Sequence, residues 1–443
     1  MKRWVVVLLV GLAVLLLISP GIVGRMTERS LENSIELARI ESPEVTIITE
    51  HFDRGWFSSE GRHRIELSDR SQFPELANFV DQAGYPGMPA LILDSRIDHG
   101  LVPLGSLNRE DGSLQPSLAS MVSTVQLDPG NGELIDLPGR INSTISLSGA
   151  THADLLLDEG NWSDGETRID WKGAELELIL DAAGIMTTAE GFIGAIRFAA
   201  GTRKVESSRI DITIHQDKSD YDFMVGSMNV HSGRVSVSDD LGDQVGFASM
   251  DISVTSNIEN DKITGSSQID LTGIITPGMG TVDIAVDLAY SGFDAESFVA
   301  LYSALQDAAA HGNPEDAFAA IYPAMDAELQ QFLSVGGDIQ INHLNLSLPL
   351  GDIQTDFHFT LPQSGPGDAF SWPGLLLKLK ATINLQLPVS LFQMIETLQP
   401  EAGAAVAMGI LVLDGDQYKM QLEYAQGLAT INGVPMPVPL PGF

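Results

Sequence analysis

The sequence predicts a mainly β protein: an N-terminal transmembrane helix, then a large antiparallel, curved or rolled β-sheet body with a few α-helices. Three observations support this fold class. Apolar residues recur at every second position over most of the chain, one uncharged run of bilayer length opens it, and helical patterns are confined to short stretches.

The opening run comes first. Lys2 and Arg3 precede an uncharged segment from Trp4 to Val23. Its twenty residues, at about 1.5 Å rise each, span roughly 30 Å, the thickness of a bilayer's hydrocarbon core. A cleaved secretory signal would need a small-x-small site after the apolar run, and Ser19, Pro20 and Gly21 make a poor one. Residues 1–25 are therefore expected to be an uncleaved signal-anchor. Lys2 and Arg3 stay in the cytoplasm by the positive-inside tendency, so 26–443 form an exported body, which in a Gram-negative cell lies in the periplasm.

After a short juxtamembrane helix, with Leu31, Ile35 and Ala38 at helical spacing, period two takes over. Ile210, Ile212 and Ile214 alternate with polar residues, as do Val282 to Tyr290, Ile353 to Leu361, and Tyr418 to Tyr424. One dry and one wet face is the antiparallel habit. The intervening segments are too short and polar for crossover helices, which excludes a parallel βαβ fold. Counting alternating runs gives roughly fifteen to twenty strands. The odd positions from Leu375 to Leu387 suggest one long strand. At Asn342–His343 the apolar phase slips by one, the mark of a β-bulge. Asn432-Gly433 reads as a tight turn before a tail in which proline at 435, 437 and 439 removes the amides on one side.

Helices are expected at about 294–311, 314–334 and 390–399. Asp294 caps the first, Asn313-Pro314-Glu315-Asp316 opens the second with a kink at Pro323, and Ser390 opens the third. The exported residues thus read as one β-rich domain with a helical insertion at about 291–336.

The chemistry is mostly subtractive. A net charge of -35 argues against nucleic acid, whose phosphates need clustered cations. That acidity fits either a saline habitat or a cationic partner. Zero cysteines exclude disulfides, thiolate metal sites and cysteine nucleophiles. No metalloprotease, phosphate-loop, nucleophile-elbow or dinucleotide signature is present, and no cofactor is expected. His51 and His63 could face each other across a hairpin as a minor metal candidate, but solvated histidines are the default reading. Leu413 to Tyr418 resembles a fragment of a calcium loop and reads better as a hairpin turn.

Two features remain as candidate sites. Asp53, Arg54, Gly55, Trp56 and Phe57 form the tip of a hairpin with two aromatics. Asp53 and Arg54 are placed to pair with Arg62 and Glu60 across it. The tip is read either as aromatics clamped on the sheet or as a docking point. The other feature is the apolar sheet face, for which Phe357, Phe359, Leu377, Leu379 and Ile383 are chosen as lining residues. Two or three short helices cannot cover a sheet of that many strands. The sheet must close on itself or leave an apolar trough.

SPGIVGRMTERSLE at the end of the anchor and the block FDRGWFSSEGR resemble the YdgA-like family of bacterial inner-membrane proteins. IDHG (97–100), IDWKG (169–173), LAYSGFDAESF (288–298) and YAQGLATINGVPMPVP add to the resemblance, which covers almost the whole chain. The resemblance implies a bacterial inner-membrane anchor with an exported β-rich domain, and it brings no activity or catalytic residues. The expectation is a non-catalytic periplasmic envelope protein, held by the inner membrane and binding lipid or an envelope protein along its sheet. Self-association into a homo-oligomer is also compatible. A scaffold for membrane or motility components is the alternative, and a hydrolase the least favoured reading.

Overall fold

The computed structural model describes residues 45–67, 87–100, 117–238, 244–276, 280–311, 326–363 and 371–436, apart from residues 164, 166, 184 and 222. The expected anchor at 1–25, the juxtamembrane helix, the helix start at 313–316 with Pro323, and the prolines at 437 and 439 lie outside the described residues. Among the described residues no helix is long and apolar enough to cross a membrane.

The protein is mainly β, and the described strand registers are antiparallel throughout. It divides into two compact units, Met1–Ile214 with Ser236–Gly242, and His215–Val235 with Asp243–Phe443.

The first unit is a meander. Strands β1 (Val45–Arg54), β2 (Ser58–Leu67), β3 (Ala90–His99) and β4 (Ser117–Asp128) are followed by β5 (Ile135–Ser146), β6 (Thr151–Ser163) and β7 (Thr167–Leu180). Each pairs with the next. β7 is long enough for two partners. Its C-terminal half pairs with β8 (Met186–Ile193) and its N-terminal half with β9 (Ile196–Ala200), which leads into β10 (Arg203–Ser207). Trp171 shows how the ladder is locked: its indole covers the space a Cβ on Gly160 would fill, and its Nε1 donates to Asp158 O at 2.8 Å. That pairing explains why the opposite residue is glycine. β11 (Ile210–Lys218) carries the unit boundary within it.

The second unit opens with β12 (Met224–Ser232). β13 (Val235–Ser238) belongs to the first unit from Ser236 on; after β14 (Gln244–Phe247), the ladder of the second runs through β15 (Ser249–Glu259), β16 (Lys262–Thr276), β17 (Gly280–Asp294), β18 (Gly337–Leu348) and β19 (Gly351–Leu361). It ends with β20 (Lys380–Pro388), β21 (Val412–Asp414), β22 (Gln417–Ala425), β23 (Leu428–Ile431) and β24 (Val434–Met436). β12 pairs with β15, and β22 takes the place beside β20. The bulge falls where the apolar phase slips: the β18–β19 register shifts between Ile341 and Leu344, and Asn342 Nδ2 donates to Asp287 Oδ1 at 3.0 Å. At Asn432-Gly433 the turn forms with φ of 52° and 78°. Ile431 faces Val434 across this two-residue turn, so Pro435 turns its missing amide outward from β23. The outer edge loses a donor there.

Five α-helices stand among the described residues: α1 (Ala295–His311), α2 (Asp326–Val335), α3 (Trp372–Lys378), α4 (Val389–Leu398) and α5 (Gly403–Ala407). Asp294 caps α1, its Oδ2 accepting from Ser297 N at 3.1 Å. Two expectations are corrected. Residues 375–379 do not begin the strand. Ser371 Oγ accepts from Gly374 N, Leu379 N donates to Leu375 O, and the strand starts only at Lys380. Leu376 is also apolar, so the run fits a helix as well as a strand, and Leu375 with Leu379, four residues apart, packs toward the core. Ser390 is not a cap either: Pro388 holds that place, and the Ser390 hydroxyl donates to Leu350 O.

Candidate functional site

The second unit carries one apolar face across its ladder, and among the described residues its helices cover the two ends. At one end Ile263, Phe293, Phe332 and Leu361 form a buried cluster under α1 and α2, with Tyr290, Ile339, Phe359, Leu375 and Leu379 packed against it. Phe293 and Phe332 stack at 4.5 Å. At the other end Leu387, Leu391, Phe392 and Leu411 form a second cluster, joined by Leu348, Ile353, Leu385, Tyr418 and Met420.

Between these ends lies a third stretch of the same face. Cross-strand pairing places Val286 beside Leu344, Leu288 beside Ile341, Ile341 beside Phe357, and Phe357 beside Ile383. None of these belongs to either buried cluster, and all remain partly exposed. From Ile353 to Phe359, one end cluster to the other, six residues at about 3.3 Å give a width of roughly 20 Å. Across the eight strands from β12 to β22, spacing of about 4.8 Å gives a length near 34 Å. The result is an apolar trough closed at the two strand ends and open along its middle.

The chosen lining residues therefore divide. Phe357 and Ile383 sit in the open stretch. Phe359 belongs to the covered end, although its ring stacks on Phe357 at 5.9 Å. Leu379 packs into the same covered end as the C-cap of α3. Leu377 is 54 % exposed, belongs to neither cluster, and its side chain lies against Gly427 in the β22–β23 turn.

The hairpin of the first unit is also redrawn. β1 and β2 are joined at Gly55–Phe57, where Gly55 N donates to Ser58 O at 2.8 Å and His99 N to Phe57 O at 3.0 Å. Trp56 is 57 % and Phe57 52 % exposed, so each keeps about half of its surface in solvent. The expected Asp53–Arg62 ion pair does not form. A bulge between Thr49 and His51 shifts the register, placing Asp53 opposite Glu60 and Arg54 opposite Ser59. Arg62 instead meets Glu50 at 3.2 Å and Asp94 at 3.4 Å, and Asp53 meets His51 at 3.3 Å. The same bulge separates the histidines. His51 lies opposite Arg62 on the wet face, whereas His63 is buried on the other, its Nδ1 at 3.2 Å from Thr49 Oγ1. Burial lowers the His63 pKa, and its Nε2 has no hydrogen-bond partner. Among the described residues no cluster of three or more acids and histidines could hold a metal ion.

A shallow depression on the wet face is lined by His51, Glu60, Arg62, Asp94 and Arg96. Its arginines and carboxylates are set against one another across β2 and β3, which makes a charge ladder without a nucleophile–base pair. Leu413–Tyr418 is the β21–β22 hairpin, closed by Lys419 Nζ to Asp414 Oδ2 at 2.7 Å.

Residues 1–439 match the family described as "Bacterial protein of unknown function (DUF945)". The chain belongs to that family. It is also similar to Protein YdgA of Escherichia coli (strain K12), 24% identical over 265 residues, covering 56% of this chain and 50% of that protein. The match thus spans half the length of the relative. No solved structure matches the chain. The family description carries no activity, so it adds no functional residue to those the geometry supplies.

Sequence reasoning placed a helix at about 390–399, where α4 forms, and missed α5 (Gly403–Ala407) beyond it. From Val389 to Leu413 only Glu396 and Glu401 are charged, and Ala402 to Leu413 contain no charge at all. That run was the available signal. It has no period-two alternation, and so it escaped a reading organised around strands.

Proposed function

We propose that this protein is a non-catalytic envelope protein, anchored in the bacterial inner membrane by residues 1–25, whose periplasmic body holds lipid in the trough of its second unit. The partly exposed apolar stretch around Phe357 and Ile383 carries this reading. Exposed apolar surface of this extent costs free energy in water, on the order of 25 cal/mol per Å2, and an acyl chain removes that cost. The trough's length of roughly 34 Å exceeds the hydrocarbon depth of one leaflet, about 15 Å, so a diacyl lipid fits along it.

The test is lipid analysis of purified full-length protein. Stoichiometric phospholipid, lost in an Ile383→Asp variant that keeps its fold, is the expected result. An Ile383→Asp variant that unfolds, from protein carrying no lipid, would refute the trough.

A scaffold role is the second reading, favoured by the exposure of Trp56 and Phe57 on a hairpin tip. Exposed aromatic pairs mark contact surfaces in soluble bodies. The tip serves as the docking element in that reading, and the partner is another envelope protein or a second copy of the chain.

A further inference from the structure

The end of the second unit formed by α4, α5 and β21 is apolar on both of its sides. Inward, Leu391, Phe392, Ile395, Ala405, Val406 and Leu411 build the second cluster. Outward, Met394 and Leu398, four residues apart on α4, are 43 % and 75 % exposed. Met408 after α5 is 62 % exposed, and Val412 and Leu413 of β21 are 47 % and 57 %. Leu350, 42 % exposed, joins them, because its carbonyl accepts the Ser390 hydroxyl at the start of α4.

We propose that this cap is a membrane-binding surface that rests in the headgroup–acyl boundary of a phospholipid bilayer. Three observations select a bilayer as the occupant. The first is charge. A chain with 59 acids and 24 bases is repelled by anionic headgroups over most of its surface, and that repulsion is weakest along the cap's stretch Ala402 to Leu413, which carries no charge. The second is side-chain type. The exposed residues are aliphatic or methionine, whereas the core of a protein–protein interface is enriched in tyrosine, tryptophan and arginine.

The third is the backbone. Hydrocarbon tolerates only polar groups that are already paired. Met408 N donates to Ala404 O at 2.9 Å, Gly409 N to Val406 O at 3.0 Å, and Ile410 N to Ala405 O at 2.9 Å. The carbonyls of Gly409 and Ile410 both accept from Asn432 Nδ2, at 2.9 and 3.0 Å. The one acid at the end of β21, Asp414, is matched by Lys419 at 2.7 Å. A rim of Glu396, Glu401 and Asp414 then limits immersion to a shallow depth, about 5–10 Å for surface-lying helices. Seating of the cap does not depend on what the trough holds.

The absence of cysteine makes the test direct. Full-length protein carrying Leu398→Cys, Leu413→Cys or, as a control on exposed Asn257 near the opposite strand end, Asn257→Cys is labelled with an environment-sensitive fluorophore. Each is reconstituted into phosphatidylcholine vesicles with and without brominated lipid. The expected result is a blue-shifted emission at 398 and 413, with several-fold stronger quenching by brominated lipid than at 257. Adding Leu413→Glu should return the label at 398 to a water-like emission. Labels at 398 and 413 as open to aqueous iodide as the label at 257 would overturn the proposal. So would disulfide cross-linking of Leu398→Cys chains at high dilution, which would make a second copy the occupant. Phospholipid bound to the purified protein separates the two readings. Lipid retained by the Leu413→Glu protein, while its cap no longer enters the bilayer, leaves the trough standing. A cap that enters the bilayer on protein that purifies without lipid removes the trough alone.

Discussion

Truncating two phenylalanines of the second unit distinguishes an open trough from a closed core. Phe293 is 1 % exposed inside the first cluster, stacked on Phe332. Phe293→Ala removes the ring from water-free surroundings and leaves a cavity, which costs about 4 kcal/mol. Phe357 keeps part of its surface exposed and belongs to neither cluster; its ring stacks on Phe359 at 5.9 Å. Phe357→Ala therefore loses only the transfer term for a partly buried ring, about 2 kcal/mol, because water or lipid fills the gap from the open side. Both residues lie in the same unit, so urea unfolding of delipidated protein reads both on one transition. The midpoint shift for Phe357→Ala should be about half that for Phe293→Ala. Added phospholipid should raise the wild-type midpoint by mass action and raise the Phe357→Ala midpoint less. Equal losses for the two variants, with no response to lipid, would show that the middle of the face is as well packed as its ends.

Asp128 clamps the turn between β4 and β5. Burial opposes its ionisation, but Gly130 N at 2.9 Å, Arg64 Nη2 at 3.0 Å and Gly132 N at 3.1 Å together hold its pKa below the usual carboxylate value. Asp128→Ala should cost about 3–4 kcal/mol by urea unfolding and Asp128→Asn about 2 kcal/mol, since the amide oxygen still accepts from the backbone. This contribution should be complete above about pH 4 and fade as the pH falls through the lowered folded value. His63 loses stability in the same direction for a different cause: burial alone lowers its folded pKa, so the unfolded chain binds the proton more readily. Stability should drop as the pH falls below about 6.5, and His63→Leu should flatten that slope. Trp56→Ala combined with Phe57→Ala should leave the urea midpoint within about 0.5 kcal/mol of wild type, because both rings stand largely in solvent. A loss of several kcal/mol would make the tip a packing element.

Much of the fold was legible because strand alternation is a local signal. Residues 353–361 and 418–424 state their own period, and a one-residue slip at Asn342–His343 is enough to locate a bulge. Asp294 as a helix cap, the Asn432-Gly433 turn and the amide-poor edge at Pro435 are equally local, since each depends on the backbone preference of one or two residues. Family membership was also legible in the sequence, and residues 1–439 match that family. Tertiary structure decided matters that depend on distant partners. Whether 375–379 is strand or helix turned on the Ser371 cap and on packing of Leu375 and Leu379 against the Phe293 cluster. The hairpin charges were reassigned because one bulge at Glu50 changed which residue each side chain faces, and Arg62 found Asp94 on a third strand. The candidate site followed the same rule. Alternation marks which side of a strand is dry, but only the positions of the helical ends decide which part of the dry face is covered. Phe357 and Ile383 are left open for that reason, while Phe359, two residues along the same strand, is packed.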